Sequence, residues 1–251
     1  MKSPIRFAPM LVCFLAIAVC YSFTNAVNTN QDSITGAWKL NDGNKDHVLI
    51  FADGYIAHAA FNSDDKSFNN ARGGTYRLQN GSLQIKWEYN SVDKEKVGQQ
   101  EDFPFKLNGK DLTVVADGHD VTLTRMDEGS GELAGNWRMT GRMQDGKRNP
   151  MNTESARKTL KILSGTRFQW MAINPETKEF FGTGGGNYTF KNGKYTENIE
   201  FFSRDSSRVG ASLTFDDKVV NGEWHHTGLS SKGDKLYEIW SRVPNNSNEK
   251  K

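Results

Sequence analysis

Two carboxylates and a pair of adjacent histidines are the residues whose types and positions suggest chemistry. Glu197 and Glu238 each lie in a segment of alternating apolar and polar residues, and His225 and His226 follow directly after Glu223-Trp224. A carboxylate within hydrogen-bond reach of an imidazole can act as an acid–base pair. A carboxylate beside aromatic residues can instead orient a bound ligand. The positions of these side chains on their strands decide between these two roles.

The chain contains an internal repeat that supplies those strands twice. Residues 165–195 align without a gap with residues 53–83, at a constant offset of 112. The identical residues are turn glycines, turn asparagines and aromatics, which determine backbone geometry and core. The matched pairs are Asn62 and Asn174, Lys66 and Lys178, Phe68 and Phe180, Gly73 and Gly185, Gly74 and Gly186, Tyr76 and Tyr188, and Asn80-Gly81 and Asn192-Gly193.

The strand pattern predicts an all-β protein with two tandem antiparallel up-and-down barrels. Short period-two segments are separated by Gly, Asn and Asp turns, and no helical period persists. Four Asn-Gly pairs, at 80–81, 108–109, 192–193 and 221–222, favour type I′ hairpin turns. We expect barrel 1 at 34–126, a linker at 127–132, barrel 2 at 133–243 and a disordered tail at 244–251. An insertion at 141–156 is expected to form a long loop or short helix at the mouth of barrel 2.

The first 26 residues have the pattern of a secretory signal peptide, with Lys2 and Arg6 before an apolar stretch. We expect an exported protein, periplasmic or secreted. The alternative is lipid anchoring at Cys20, which would provide the only membrane association. Cys13 and Cys20 both lie in this segment, so the mature chain has no disulfide.

The charge of the mature chain disfavours nucleic acid as a partner. Removing two basic residues with the signal leaves 32 − 2 = 30 Lys+Arg against 30 Asp+Glu. A chain with zero net charge and no basic stripe lacks the electrostatic footprint that nucleic-acid binding needs. We expect a monomer with a small-molecule ligand.

Each copy opens with Gly-x-Trp and closes with a strand that ends in Arg, which resembles the lipocalin-like (calycin) barrels. In that family the Trp closes one end of the barrel and the Arg packs on its indole ring. The resemblance assigns these structural roles to Trp38 with Arg125 and to Trp137 with Arg242. Copy two also resembles the short lipocalin-like domains of exported Bacteroidetes proteins of unknown function, through GTRFQW, EFFGTGGGNYTF, NIEFFSRDSSRVGA and GEWHHTGLSSKGD.

Comparison of the copies singles out copy two as the one with a polar interior. Alternation in copy one predicts an inward set of Leu83, Ile85, Trp87 and Tyr89, which maps to Tyr195, Glu197, Ile199 and Phe201. Glu238 likewise replaces Val121. We infer that barrel 1 is a packed structural barrel and that barrel 2 holds a polar-lined pocket. The alternative is a register slip that leaves both carboxylates exposed.

The predicted ligand-binding set therefore lies in copy two. It comprises Tyr195, Glu197, Glu238, Trp170, Trp240, His225 and Arg204. Arg167, Arg208 and His226 are further candidate partners for the carboxylates, because buried charge must be paired. The run Gly182–Gly186 suggests a phosphate cradle, but no helix follows it, so a turn or bulge is favoured. No metal or cofactor is expected.

Three functions remain open. We favour a binding protein over an enzyme, with a small amphipathic or polar-headed ligand in barrel 2. The alternative is a hydrolase or isomerase that uses Glu197 or Glu238 with His225. A further alternative is an interaction module without a ligand, which solid cores in both barrels would favour.

Overall fold

A computed structural model describes residues 34–244, which fold into two consecutive antiparallel β-barrels of lipocalin-like architecture. The predicted signal peptide, Cys20 and residues 245–251 of the predicted tail lie outside the described residues. No helix in the described range is long and apolar enough to cross a membrane.

Barrel 1 is closed by eight strands that each pair with their sequence neighbours, with β1 pairing β8. The strands are β1 (Gly36–Asp42), β2 (Lys45–Ala52), β3 (Tyr55–Asn62), β4 (Ser67–Gln79), β5 (Ser82–Asn90), β6 (Gln100–Asn108), β7 (Asp111–Ala116) and β8 (His119–Asp127). A 3₁₀ turn at Lys94–Lys96 precedes β6. The predicted up-and-down order is confirmed for this copy.

Barrel 2 repeats the pattern and adds one short strand. Its strands are β9 (Gly135–Gln144), β10 (Lys147–Pro150), β11 (Lys158–Leu163), β12 (Arg167–Asn174), β13 (Glu179–Lys191), β14 (Lys194–Phe202), β15 (Ser212–Val220), β16 (Glu223–Leu229) and β17 (Lys235–Arg242). Pairing of β9 with β17 closes the barrel. A 3₁₀ turn at Ser206–Arg208 precedes β15, at the position of the turn in barrel 1.

The insertion in copy two is a β-hairpin, where the sequence predicted a loop or short helix. β9 continues to Gln144, turns at Asp145-Gly146, and pairs back through β10. Arg148 on β10 makes a bidentate ion pair with Glu223, at 2.9 and 3.0 Å. An ion pair at the surface therefore links the hairpin to β16.

The Gly-Gly pair shared by the two copies forms a β-bulge in each barrel. For Gly182–Gly186 the sequence favoured a turn or bulge over a phosphate cradle, in agreement with this geometry. The register shifts between Gly185 and Gly186 so that Glu200 is the extra residue on β14. A Cβ on Gly186 would lie 1.9 Å from the carbonyl oxygen of Asn198, so only glycine fits. The same shift occurs at Gly73 and Gly74.

The bulges overturn one part of the predicted inward set. Because each bulge adds one residue, Tyr89 pairs with Gly73 and Phe201 with Gly185, which turns both rings away from the barrel interior. Both rings lie instead in the apolar cluster between the barrels, where Phe201 stacks on Phe61 with centroids 4.8 Å apart. Alternation alone could not anticipate this reversal.

The hairpin turns follow the Asn-Gly prediction in three of four cases. Both residues have positive φ at 80–81, 192–193 and 221–222, as type I′ turns require. At 108–109 only Gly109 has positive φ, and Asn108 remains in β6. The fourth turn therefore begins one residue later in the chain than the sequence predicted.

The two barrels pack outer face against outer face. Apolar residues of β2–β5 and β11–β14 form one continuous buried cluster, which explains why β3 is buried at every position. The hydrogen bond from Gln169 Nε2 to the Tyr89 hydroxyl, 3.2 Å long, crosses this interface. Lys158 and Glu88 form an ion pair at its edge, 2.9 Å apart.

Each barrel is closed at one end by a Trp–Arg pair. The Arg125 guanidinium lies 4.1 Å from the Trp38 ring centroid, and Arg242 lies 4.3 Å from that of Trp137. The two indoles donate to Ile34 and Leu133 carbonyls, both over 2.9 Å. The closing geometry is therefore the same in both copies.

Candidate functional site

The interior of barrel 2 contains an open pocket of about 360 Å³ that combines aromatic and charged side chains. Its apolar wall includes Trp170, Phe202, Phe215 and Trp240. The charged lining residues and the lining histidine are Arg142, Lys161, Glu197, Arg208, His226 and Glu238, and three hydroxyl residues, Thr159, Ser230 and Ser231, complete the polar lining. Pockets of this size and mixed lining are typical small-molecule sites.

A buried ion pair lies at the centre of this pocket. Lys161 Nζ is 3.1 Å from Glu197 Oε2, and the two side chains are only 5% and 9% exposed. Lys161 comes from β11 and Glu197 from β14, so each is held by a different part of the barrel wall. Glu197 faces inward as alternation predicted, but its partner is a lysine that was not among the candidates.

Aromatic rings surround the lysine. Its Nζ lies 4.9 to 5.9 Å from the ring centroids of Phe168, Tyr195, Trp224 and Trp240. Cation–π attraction to desolvated rings stabilises an ammonium in a buried position. Burial raises the pKa of Tyr195 well above its ordinary value, and the neighbouring Glu197 raises it further.

One polar atom in this region, Trp240 Nε1, has no hydrogen-bond partner and is inaccessible to solvent. The Tyr195 hydroxyl is also inaccessible, and it interacts with the Glu197 carboxylate. Buried polar groups are normally paired, so unpaired donors beside a pocket have capacity to bond to a ligand. Trp240 lines the pocket directly, and Tyr195 packs behind it.

A second buried polar pair lies beside the first. The His226 ring Nδ1 is 2.9 Å from Asp217 Oδ2, and the same carboxylate accepts from Trp224 Nε1 over 2.8 Å. The Thr227 backbone N–H also donates to Asp217, over 3.3 Å. These contacts satisfy Asp217 internally, so its role is to orient His226 and Trp224.

The mouth of the pocket carries the remaining charged groups. Glu238 lies 3.6 Å from Arg142, which belongs to the hairpin strand β9. Arg208 donates to Asp205 over 3.0 Å and lies over the Phe202 ring at 4.7 Å from its centroid. Trp170 packs edge-on against Phe202, with centroids 5.3 Å apart.

Two residues of the predicted set lie outside the pocket. His225 faces away from it and bonds to the Tyr237 hydroxyl over 3.0 Å, because Trp224 and His226 occupy the inward positions of β16. Arg204 follows the end of β14 and is exposed. The other five predicted residues, Tyr195, Glu197, Glu238, Trp170 and Trp240, lie in or directly behind the pocket wall.

The positions of the two histidines bear on acid–base chemistry. The enzyme hypothesis needs Glu197 or Glu238 to meet His225, and these side chains are on opposite sides of the sheet. The inward histidine, His226, is bonded to Asp217. Among residues 34–244, no group of three or more His, Cys, Asp or Glu side chains is arranged to hold a metal ion.

The pairs that sequence reasoning missed follow the same repeat offset. Strand registers place Lys161 on Leu49, Asp217 on Phe105 and His226 on Val114 of barrel 1. Positions that are apolar in barrel 1 thus carry two polar pairs in barrel 2, Lys161 with Glu197 and Asp217 with His226. Extending the offset of 112 beyond the aligned segment would have found Lys161 and Asp217, whereas His226 was already a candidate partner.

The expectation that barrel 1 is solidly packed is wrong. Barrel 1 encloses an open cavity of about 460 Å³, lined mostly by apolar residues such as Leu49, Phe51, Ile85 and Leu123. Aliphatic residues at the inward positions reduce charge but do not fill the volume that eight strands enclose. Both barrels therefore have internal space.

Comparison with known families gives one match. Residues 132–251 match the family described as "Domain of unknown function (DUF4488)", which spans barrel 2 and not barrel 1. No curated protein matches the chain.

Proposed function

We propose that this chain is an exported binding protein whose second barrel takes a small amphipathic ligand with a polar head. The head would bond to the Lys161–Glu197 pair, and the flat or apolar body would lie against Trp170, Phe202 and Trp240. A head that offers both a donor and an acceptor suits an ammonium and a carboxylate 3.1 Å apart.

The observation that carries the proposal is the ion pair at positions where the twin barrel has Leu49 and Ile85. Buried ion pairs contribute little to stability compared with apolar residues of similar volume. Barrel 1 closes with aliphatic residues at these positions, so the fold does not require the pair. Because the Lys161–Glu197 pair lies in an open aromatic pocket, its position supports a role in ligand recognition. The cavities in both barrels weigh against the interaction module without a ligand.

Isothermal titration with 1-naphthaleneacetamide tests the proposal, with 1-methylnaphthalene as the match without a head. The variant Lys161→Leu/Glu197→Ile carries the residues of barrel 1. We expect it to bind the amide at least tenfold more weakly than wild type, because a hydrogen bond to a charged group contributes about 1.5 to 3 kcal/mol.

The controls separate head recognition from apolar burial. The methyl compound should bind wild type and the double variant within about threefold, since its burial needs no ion pair. Arg77→Gln, an exposed change on β4 of barrel 1, should leave amide binding unchanged. Equal amide binding by wild type and the double variant, or none by wild type, would refute the proposal.

A further inference from the structure

The cavity of barrel 1 differs from the pocket of barrel 2 in the position of its charged side chains. Its inner lining is apolar, with Leu49, Phe51, Ile56, Leu83, Ile85 and Leu123. Its polar lining residues are Asp42, His47, His58, Asn70, Arg72 and Asn90. Three of them are neighbours across adjacent strands, since His58 pairs with Arg72 and Arg72 pairs with Asn90. Barrel 2 has its charged pair inside, whereas barrel 1 presents a cation beside an apolar interior.

Arg72 has no counterpart in barrel 2 and no carboxylate partner. The register places Gly184 at the equivalent position, where a Cβ would lie 2.8 Å from the Trp170 ring nitrogen. The Arg72 guanidinium lies 4.9 Å from the Trp87 ring centroid, and none of the ion pairs among residues 34–244 includes it. Burial lowers the pKa of Arg72, whereas Glu101 and Asp117 raise it from a distance.

A buried histidine beside Arg72 adds a second, independent sign of a ligand. His58 is only 7% exposed, lines the cavity and has no hydrogen-bond partner at Nδ1. Its Nε2 lies 3.1 Å from His47 Nδ1, and the two rings stack with centroids 5.3 Å apart. Burial lowers the pKa of both histidines. His58 is thus held neutral with one ring nitrogen unused.

We propose that barrel 1 is a second binding site, which takes one small apolar monocarboxylate. The carboxylate pairs with Arg72, with His58 as an auxiliary hydrogen-bond partner, and the apolar chain occupies the interior. An arginine at the border of an apolar cavity recognises a carboxylate by a bidentate pair. A cavity of about 460 Å³ lies within the usual range of small-molecule sites. This inference does not depend on the function proposed for barrel 2.

Isothermal titration with dodecanoate at pH 8, and with dodecanol as the uncharged match, tests the assignment. We expect wild type to bind dodecanoate with one site in barrel 1. Arg72→Gln should weaken dodecanoate binding at least tenfold and leave dodecanol binding within about threefold, since only the carboxylate needs the guanidinium. Arg77→Gln is the matched control, because it makes the same change at an exposed arginine of the same strand.

A variant that fills the cavity protects the test against misfolding of Arg72→Gln. Leu123→Trp places a large ring in the interior of barrel 1 and should abolish binding of both probes. Thermal unfolding by circular dichroism confirms that each variant is folded. No dodecanoate binding by wild type, or equal binding by folded Arg72→Gln, would overturn the proposal. Loss in Lys161→Leu/Glu197→Ile but not in Leu123→Trp would overturn it too, by placing the probe in barrel 2.

Discussion

Replacing Glu197 by isoleucine, the residue at the equivalent position of barrel 1, distinguishes two hypotheses: a buried ion pair with Lys161, or a buried carboxylate without a partner. If Glu197 were buried alone, its removal would raise stability. The structure shows Lys161 3.1 Å away with 5% of its side chain exposed. Removing the Glu197 carboxylate therefore leaves a buried ammonium without its partner. We therefore expect Glu197→Ile to lower the free energy of unfolding.

The size of the loss follows from the geometry. At an effective dielectric constant of about 20, two unit charges at this separation attract by about 5 kcal/mol. Contacts to the rings around Lys161 remain and offset about 2 kcal/mol. The expected loss for Glu197→Ile is therefore about 3 kcal/mol, at the lower end of the range for a broken buried pair. Lys161→Leu should lose more, about 4 to 5 kcal/mol, because aromatic faces do not stabilise a carboxylate.

The double variant Lys161→Leu/Glu197→Ile completes the cycle. Replacing both partners by apolar residues is typically neutral or stabilising by about 1 to 4 kcal/mol. Urea unfolding of wild type, both single variants and the double variant gives the coupling energy directly. A stabilised Glu197→Ile, or single losses that add in the double variant, would refute the reasoning.

Three further predictions concern the barrel frame, each measured by urea unfolding. Because burial lowers the pKa of His58 well below 6.5, the unfolded chain takes up a proton that the folded barrel does not. Stability should therefore fall as pH drops below about 6.5, by up to about 1.4 kcal/mol per unit, and His58→Gln should flatten that slope. Burial raises the pKa of Asp127, but hydrogen bonds from Thr166 and Ser164 outweigh it and hold the pKa below its ordinary value. Asp127→Ala should cost about 3 kcal/mol at pH 7, and an unchanged midpoint would contradict this. Gly186→Ala should cost about 2 kcal/mol or more, since its Cβ would overlap the Asn198 carbonyl; a neutral result would exclude the bulge.

The all-β class and the tandem barrels could be read from the sequence because they rest on local signals. Period-two alternation and turn residues specify strands and hairpins without reference to distant contacts. The repeat then identified Glu197 as an inward carboxylate, because it could be compared with Ile85 in the same fold. The same comparison would have yielded Lys161, whose counterpart is Leu49.

Alternation could not predict on which side of the sheet Tyr89 and Phe201 lie. One extra residue in each strand, Glu88 and Glu200, reverses the alternation before these two positions. That reversal places the two rings between the barrels, where they join a core that neither copy would have alone. Whether a glycine pair forms a bulge depends on the partner strand, which sequence does not supply.

The sequence by itself determined the class of fold, its duplication and the side of the sheet on which Glu197 lies, since each depends on neighbours along the chain. Tertiary structure decided which groups meet: Lys161 with Glu197 on strands that are not adjacent, and Asp217 with His226 on neighbouring strands. It also left Arg72 outside every ion pair among residues 34–244. It also decided that barrel 1 is hollow, because internal volume depends on how eight strands close and not on the residue types that line them.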